Sequence, residues 1–251
     1  NAFEIPSSKS MELVGTDNGT LVLGNQLTLS GILKFSAPDT LSNGTLSLNG
    51  GALEVSKDAS ISSALLHEAS SEVSVSTGET LTYSGSALDI GALTLTLSGG
   101  GTFANSTDLR FNDTASVLNF GGITEVSKVS FPVSLQTGKL NVTQNAKIQT
   151  LTHPGESIIN ISSGKILTIA EAFTIGSSKS MVLNGSGGNL KLENTMTLSG
   201  TLQMDEQSTL NSGTLAFDGG LVSVNNNSTI SSAITHAGSS SFEIASGRRL
   251  T

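Results

Sequence analysis

Three groups of residues in this chain have types and spacings that chemistry uses. His67, His153 and His236 are its only histidines, and they fall at one position of a long internal repeat, an arrangement that raises the question of a shared metal. Copies of a stacked β repeat lie several strands apart at about 4.8 Å each, hence on the order of 20 Å from one histidine to the next. A zinc ion needs every ligand at about 2 Å. The expected role is structural, at a corner of the fold or on its surface, and no metal ligand is assigned.

The second group is acidic. Asp108, Arg110 and Asp113 share one short stretch, and Asp205 stands beside Glu206. Carboxylates lining a groove are what the cleavage of polysaccharides requires, so a polysaccharide-acting enzyme is the alternative reading. Charges this sparse in a repeat are expected at solvated corners, so no catalytic residue is assigned and the expectation is not an enzyme. The third group is the Asn-x-Ser/Thr sequons at Asn18, Asn43, Asn105, Asn112, Asn141, Asn160, Asn184 and Asn227, each a possible glycan acceptor if exposed. Asn141 and Asn160 are expected to point outward from the middle of strands.

Cofactors are not expected. The chain has no cysteine, which excludes disulfides and thiolate metal sites. The calcium nonapeptide Gly-Gly-x-Gly-x-Asp is missing, and Gly185-Ser186-Gly187-Gly188-Asn189 lacks the acidic ligand calcium needs. A net charge of -8 argues against nucleic acid, whose binders replace counterions with clustered lysine and arginine. No apolar run approaches the ~20 residues that span a bilayer, so this segment is not expected to insert into a membrane.

The elements that would hold these groups are short. Aliphatic-x-aliphatic units such as Leu21-Val22-Leu23, Leu46-Ser47-Leu48, Val73-Ser74-Val75, Leu140-Asn141-Val142 and Ile159-Asn160-Ile161 are followed by Gly, Asn, Asp or Ser. Period-two alternation places both aliphatic side chains on one face and the middle residue on the other. No segment has helical spacing with caps. Strands this short need neighbours above and below from the next coil of chain. With 36% apolar but only 4% aromatic residues and no Trp, the interior is expected to be thin and aliphatic. Leu21, Leu23, Leu46, Leu48, Val73, Val75, Ile159 and Ile161 should line it.

Longer repeats organise the units. Ala2 to Met11 returns as Ala172 to Met181, Leu27-Thr28-Leu29-Ser30-Gly31 as Met196-Thr197-Leu198-Ser199-Gly200, and His67 to Thr82 aligns with His153 to Thr168 and His236 to Thr251. The long repeat is about 85 residues, present about three times, approximately 1–82, 83–170 and 171–251, within one continuous solenoid over 1–251. One copy looks a coil shorter, since Leu81 and Leu97 enclose a smaller interval than Leu167 and Leu198.

The fold expected is an all-β, right-handed parallel β-helix, or β-solenoid. The alternative is a tandem of antiparallel β-sandwich domains, for which 85 residues is an ordinary size. Asn18-Gly19, Asn43-Gly44, Asn49-Gly50, Asn184-Gly185 and Asp218-Gly219 are pairs that also build antiparallel hairpins. Against sandwiches stand the poverty of aromatics and the unbroken passage from copy to copy, as in Leu167-Thr168-Ile169-Ala170-Glu171-Ala172-Phe173. The chain is also expected to continue naturally in both directions, its upstream neighbour resembling Leu167-Thr168-Ile169-Ala170.

The phrases Gly19 to Phe35 (GTLVLGNQLTLSGILKF), Gly44 to Val55 (GTLSLNGGALEV) and Gly188 to Met204 (GNLKLENTMTLSGTLQM) resemble the repeats of autotransporter passenger domains and filamentous-haemagglutinin-like exoproteins. The resemblance implies export across a bacterial envelope, an extracellular or cell-surface location, and a role as rigid stalk or adhesin. Implied partners are glycans or proteins on host or neighbouring cells, with end-to-end or lateral homotypic association. The family has no common catalytic motif, and none is carried over.

Overall fold

A computed structural model of the chain describes residues 2–15, 18–105, 109–120 and 127–251, with backbone alone at 105 and 127–132. The described residues form a parallel β-solenoid of about 11 turns without a helix. Every pairing among them is parallel: Gln26–Leu29 pairs with Thr45–Asn49, for example, and that strand with Ala64–Ala69. The sandwich alternative fails here, because antiparallel domains would pair strands adjacent in sequence.

Each coil contributes a strand to each of three faces. One face is an unbroken sheet of 12 strands from Ser10–Leu13 to Ser241–Ile244, and a second holds 13 strands in its main order. The third is two four-stranded sheets at the two ends of the molecule. Between them, Leu88–Asp89 pairs with Leu109–Phe111, which pairs with the second half of a nine-residue strand, Ser127–Leu135. There the corner between the second and third faces is straightened into one long strand. Its pairing with Ala146–Thr152 slips in register between Val129 and Pro132, as expected beside a residue with no N–H to give the ladder.

The Asn-Gly pairs make corners rather than hairpins. Asn43 and Gly44 both have positive φ (59° and 50°), and Ser212 and Gly213 repeat them (59° and 49°). The strand after Asn43-Gly44 pairs with the coil below, not with Thr40–Ser42 before it. A Cβ on Gly44 would stand 2.2 Å from the Asn25 carbonyl oxygen, so the corner has no room for one. Other corners are clamped by side chains. The amide N–H groups of Thr80, Ile166 and Arg249 donate to Asp58 Oδ1 (2.7 Å), Asn145 Oδ1 (3.0 Å) and Asn227 Oδ1 (3.0 Å), the same position in each long repeat.

The interior is a column of Leu, Val and Ile running the length of the sheets. Leu46, Leu48, Val73, Val75, Ile159 and Ile161 are buried in it as expected, whereas Leu21 and Leu23, in the lowest coil, are only partly covered because no strand lies beneath them. The core is less purely aliphatic than its composition suggests. Tyr83, Phe35, Phe111, Phe120 and Phe217 are among its largest fully buried side chains. Tyr83 stacks on Phe103 with ring centroids 6.4 Å apart. Its hydroxyl donates to the Ser86 carbonyl (2.7 Å) and accepts from the buried Leu65 N–H (3.1 Å). Tyr83→Phe is expected to cost about 1–3 kcal/mol by leaving the buried Leu65 N–H without its acceptor, measurable as a lower denaturation midpoint with the strand content unchanged.

The long repeat resolves into whole coils. Ser71–Val75, Glu156–Ile161 and Ser241–Ile244 are the fourth, eighth and twelfth strands of the 12-stranded sheet, so each copy is four coils. The apparent loss of a coil is a misalignment. Leu97 lies on the next strand of that sheet after Leu81, and the counterpart after Leu167 is Leu183, on Ser180–Asn184; Leu198 belongs to another face, one coil further.

Candidate functional site

Alternation along each strand leaves its middle residue outside, and parallel pairing stacks those residues into rows. On the 12-stranded sheet the pairings Glu72–Thr96, Thr96–Asn119, Asn119–Asn141, Asn141–Asn160 and Asn160–Asn184 run as one row. The asparagines are joined head to tail along the axis. Asn160 Nδ2 donates to Asn141 Oδ1 (2.7 Å), Asn141 Nδ2 to Asn119 Oδ1 (2.9 Å), and Asn119 Nδ2 to Thr96 Oγ1 (3.5 Å). Asn160 Oδ1 is buried without a hydrogen-bond partner.

This row floors a shallow groove of about 350 Å³, lined also by Glu72, Ser98 and Ser162. An amide NH₂ has two donors, and the ladder uses one of each, so a second N–H recurs at about 4.8 Å intervals. A regular strip of uncharged donors and acceptors suits a ligand rich in hydroxyls. The same ladder occupies the Nδ2 atoms of the sequon residues Asn141 and Asn160, the atoms a glycan would have to modify.

The histidines are not brought together. His67 and His153 belong to coils four apart, about 19 Å at the strand spacing, and His236 is exposed on the last strand of the third face. His67 Nδ1 meets the Ile90 carbonyl at 2.9 Å. Burial lowers the His67 pKa, partly opposed by the backbone groups of Ile90 and Thr94. His153 is deeper, its Nε2 at 2.9 Å from Ser157 Oγ and its Nδ1 without a partner. Burial, with a smaller contribution from the Lys179 charge, lowers its pKa from 6.5 to about 4. Among the described residues no group of three or more His, Asp or Glu could hold a metal ion.

The acidic candidates serve corners. Asp108 lies outside the described residues. Asp113 Oδ1 accepts the Ala115 N–H at 2.8 Å and so shapes its own turn. Arg110 faces outward on its strand, in register with Asp89. Asp205 Oδ1 accepts from Gln203 Nε2 (2.6 Å) and Asn225 Nδ2 (2.8 Å), and Glu206 Oε2 from Asn226 Nδ2 (3.4 Å). Their oxygens are engaged in tying one coil to the next.

The asparagine row is the feature that sequence reading missed. Its signal was present as Asn in the outward position of Leu118-Asn119-Phe120, Leu140-Asn141-Val142 and Ile159-Asn160-Ile161, but only the pairing register shows that these positions are consecutive rungs. No family model, curated protein or solved structure matches this chain.

Proposed function

We propose that the chain is a structural and adhesive segment of an extracellular bacterial surface or secreted fibre. What carries the reading is one uninterrupted parallel sheet with a row of Thr and Asn side chains on its outer side, ending at Glu72. Continuous hydrogen bonding along the axis makes a stiff rod, and a row of amides offers repeated weak contacts to a hydroxyl-rich chain, where affinity accumulates through multivalency. The resemblance to autotransporter passengers and filamentous-haemagglutinin-like repeats supports the same reading. A second reading, a polysaccharide-acting enzyme, draws on the same groove.

A glycan array read alongside a reducing-sugar assay on the same panel separates the two. The expected result is retention of neutral glycans with no new reducing ends, and loss of retention in the Asn119→Ala/Asn141→Ala variant with its melting behaviour kept. Release of reducing ends would establish the enzyme instead, and retention unaffected by the double variant would remove the groove from the adhesive reading.

A further inference from the structure

The asparagine row is the upper half of a longer groove. Glu72 and Thr96 line both the cavity over the asparagines and a second one of about 400 Å³ below it, so the two adjoin. One row of outward residues floors both, through the pairings Ile32–Ala52, Ala52–Glu72, Glu72–Thr96, Thr96–Asn119, Asn119–Asn141 and Asn141–Asn160. At about 4.8 Å from strand to strand, that floor is about 29 Å long.

Its two halves differ in chemistry. Above Glu72 each asparagine keeps one N–H outside the ladder, and Asn160 Oδ1 is an acceptor still to be satisfied. Below Glu72 the floor is apolar, made by Ile32, which is 36% exposed, and Ala52. The hydroxyls of Ser30 and Ser70 stand beside it. A Cβ on Gly51 would lie 2.5 Å from the Gly31 carbonyl oxygen, so the wall there stays bare of side chains.

These features restrict the occupant. Glu72 is the only charged side chain among the described residues that line the groove, and it accepts a hydrogen bond from the Ser98 hydroxyl. A carboxylate with no cation beside it repels acidic glycans. An extended peptide binds by adding a strand to a sheet edge, whereas this groove lies on the face of a sheet whose ladder groups are already paired between coils. What remains is a neutral chain with hydroxyls on its edges and apolar faces between them.

We propose that the groove holds one extended chain of equatorially linked pyranoses lying along the solenoid axis, with one sugar to each strand. In such a chain each ring advances by nearly the spacing between strands, about 4.8 Å. Successive sugars therefore meet successive rungs, their hydroxyls on the amides and their apolar ring faces on Ile32 and Ala52. Axially linked chains coil and leave register within a few sugars. The proposal rests on the adhesive reading and narrows its ligand to one linkage geometry, with affinity accumulating rung by rung.

Titration calorimetry on the full chain tests it. Three equatorially linked series, cello-, manno- and chito-oligosaccharides, are compared with the axially linked malto-oligosaccharides. Affinity for at least one equatorial series is expected to rise at every step from disaccharide to hexasaccharide, and its hexasaccharide to bind at least about tenfold more tightly than maltohexaose, the equivalent of one or two hydrogen bonds. Asn141→Thr in the polar half and Ala52→Gln in the apolar half, both outward, should each melt like the parent and weaken that hexasaccharide by about tenfold; two separate sites guard against a folding defect in either. Equal affinity for equatorial and axial series, no binding of any equatorial series, or hexasaccharide binding unchanged in both variants would overturn the proposal while retention of other neutral glycans on the array upheld the adhesive reading. Loss of all neutral glycans from the array would overturn both.

Discussion

Val75→Asp is expected to lower stability by roughly 3–5 kcal/mol, the usual consequence of leaving a charge buried and unpaired. Val75 is 3% exposed, with Val55 in register below it and Gly99 and Gly101 packed so closely against it that a Cβ on either would stand within 2.5 Å of a Val75 atom. An aspartate there has neither water nor a cation within the aliphatic column, so it must ionise at high cost or remain protonated with its hydrogen-bonding groups unmet. The control lies one residue away. Ser74 points outward between Glu54 and Ser98, and Ser74→Lys should change stability by less than about 0.5 kcal/mol, as surface substitutions usually do. Because each coil touches only its neighbours, the damage should be local. Hydrogen exchange is expected to rise first in the third to fifth coils. Equal melting of the two variants would contradict the inward assignment of Val75.

Acidification is expected to destabilise the fold through His153, whose pKa burial lowers. In the unfolded chain this imidazole takes a proton near pH 6.5, and in the folded chain only near pH 4, because protonation would charge a buried ring. Between those values the unfolded state holds the extra proton, so stability is full above about pH 6.5 and is lost as pH falls toward 4. The shift corresponds to about 3 kcal/mol at its full extent. His67 acts in the same sense, its pKa also lowered by burial. His153→Gln keeps a group able to bond Ser157 but cannot titrate. Denaturation midpoints for the parent chain should drop between pH 6.5 and 4 more steeply than those of His153→Gln. Parallel pH profiles would show that the ring is not buried in its neutral form.

The groups that looked chemical in sequence separate according to how local their role is. Asp113, Asp205 and Glu206 stand where sequence pattern expects corner charges, and their hydrogen bonds to Ala115, Asn225 and Asn226 are those of corners. The three histidines share a repeat position, yet His153 is buried, His67 half-covered and His236 exposed. A shared repeat position does not set burial, which depends on what the neighbouring coils place against each ring.

Local pattern alone determined that this chain makes short half-buried strands, that they stack in parallel, and that one motif returns through the whole length. Alternation of Leu, Val and Ile with small polar residues acts within a few residues, and strands so short have no stable partner except the next coil. Tertiary structure decided what depends on register between coils: four coils to each long repeat, the straightened corner at Pro132, the buried Tyr83, and the alignment of Asn119, Asn141 and Asn160 into one row. Register is a non-local quantity. Coil lengths vary, and a shift of one residue would carry every aliphatic side chain from the interior to water, so the summed packing of the whole column selects which outward residues meet.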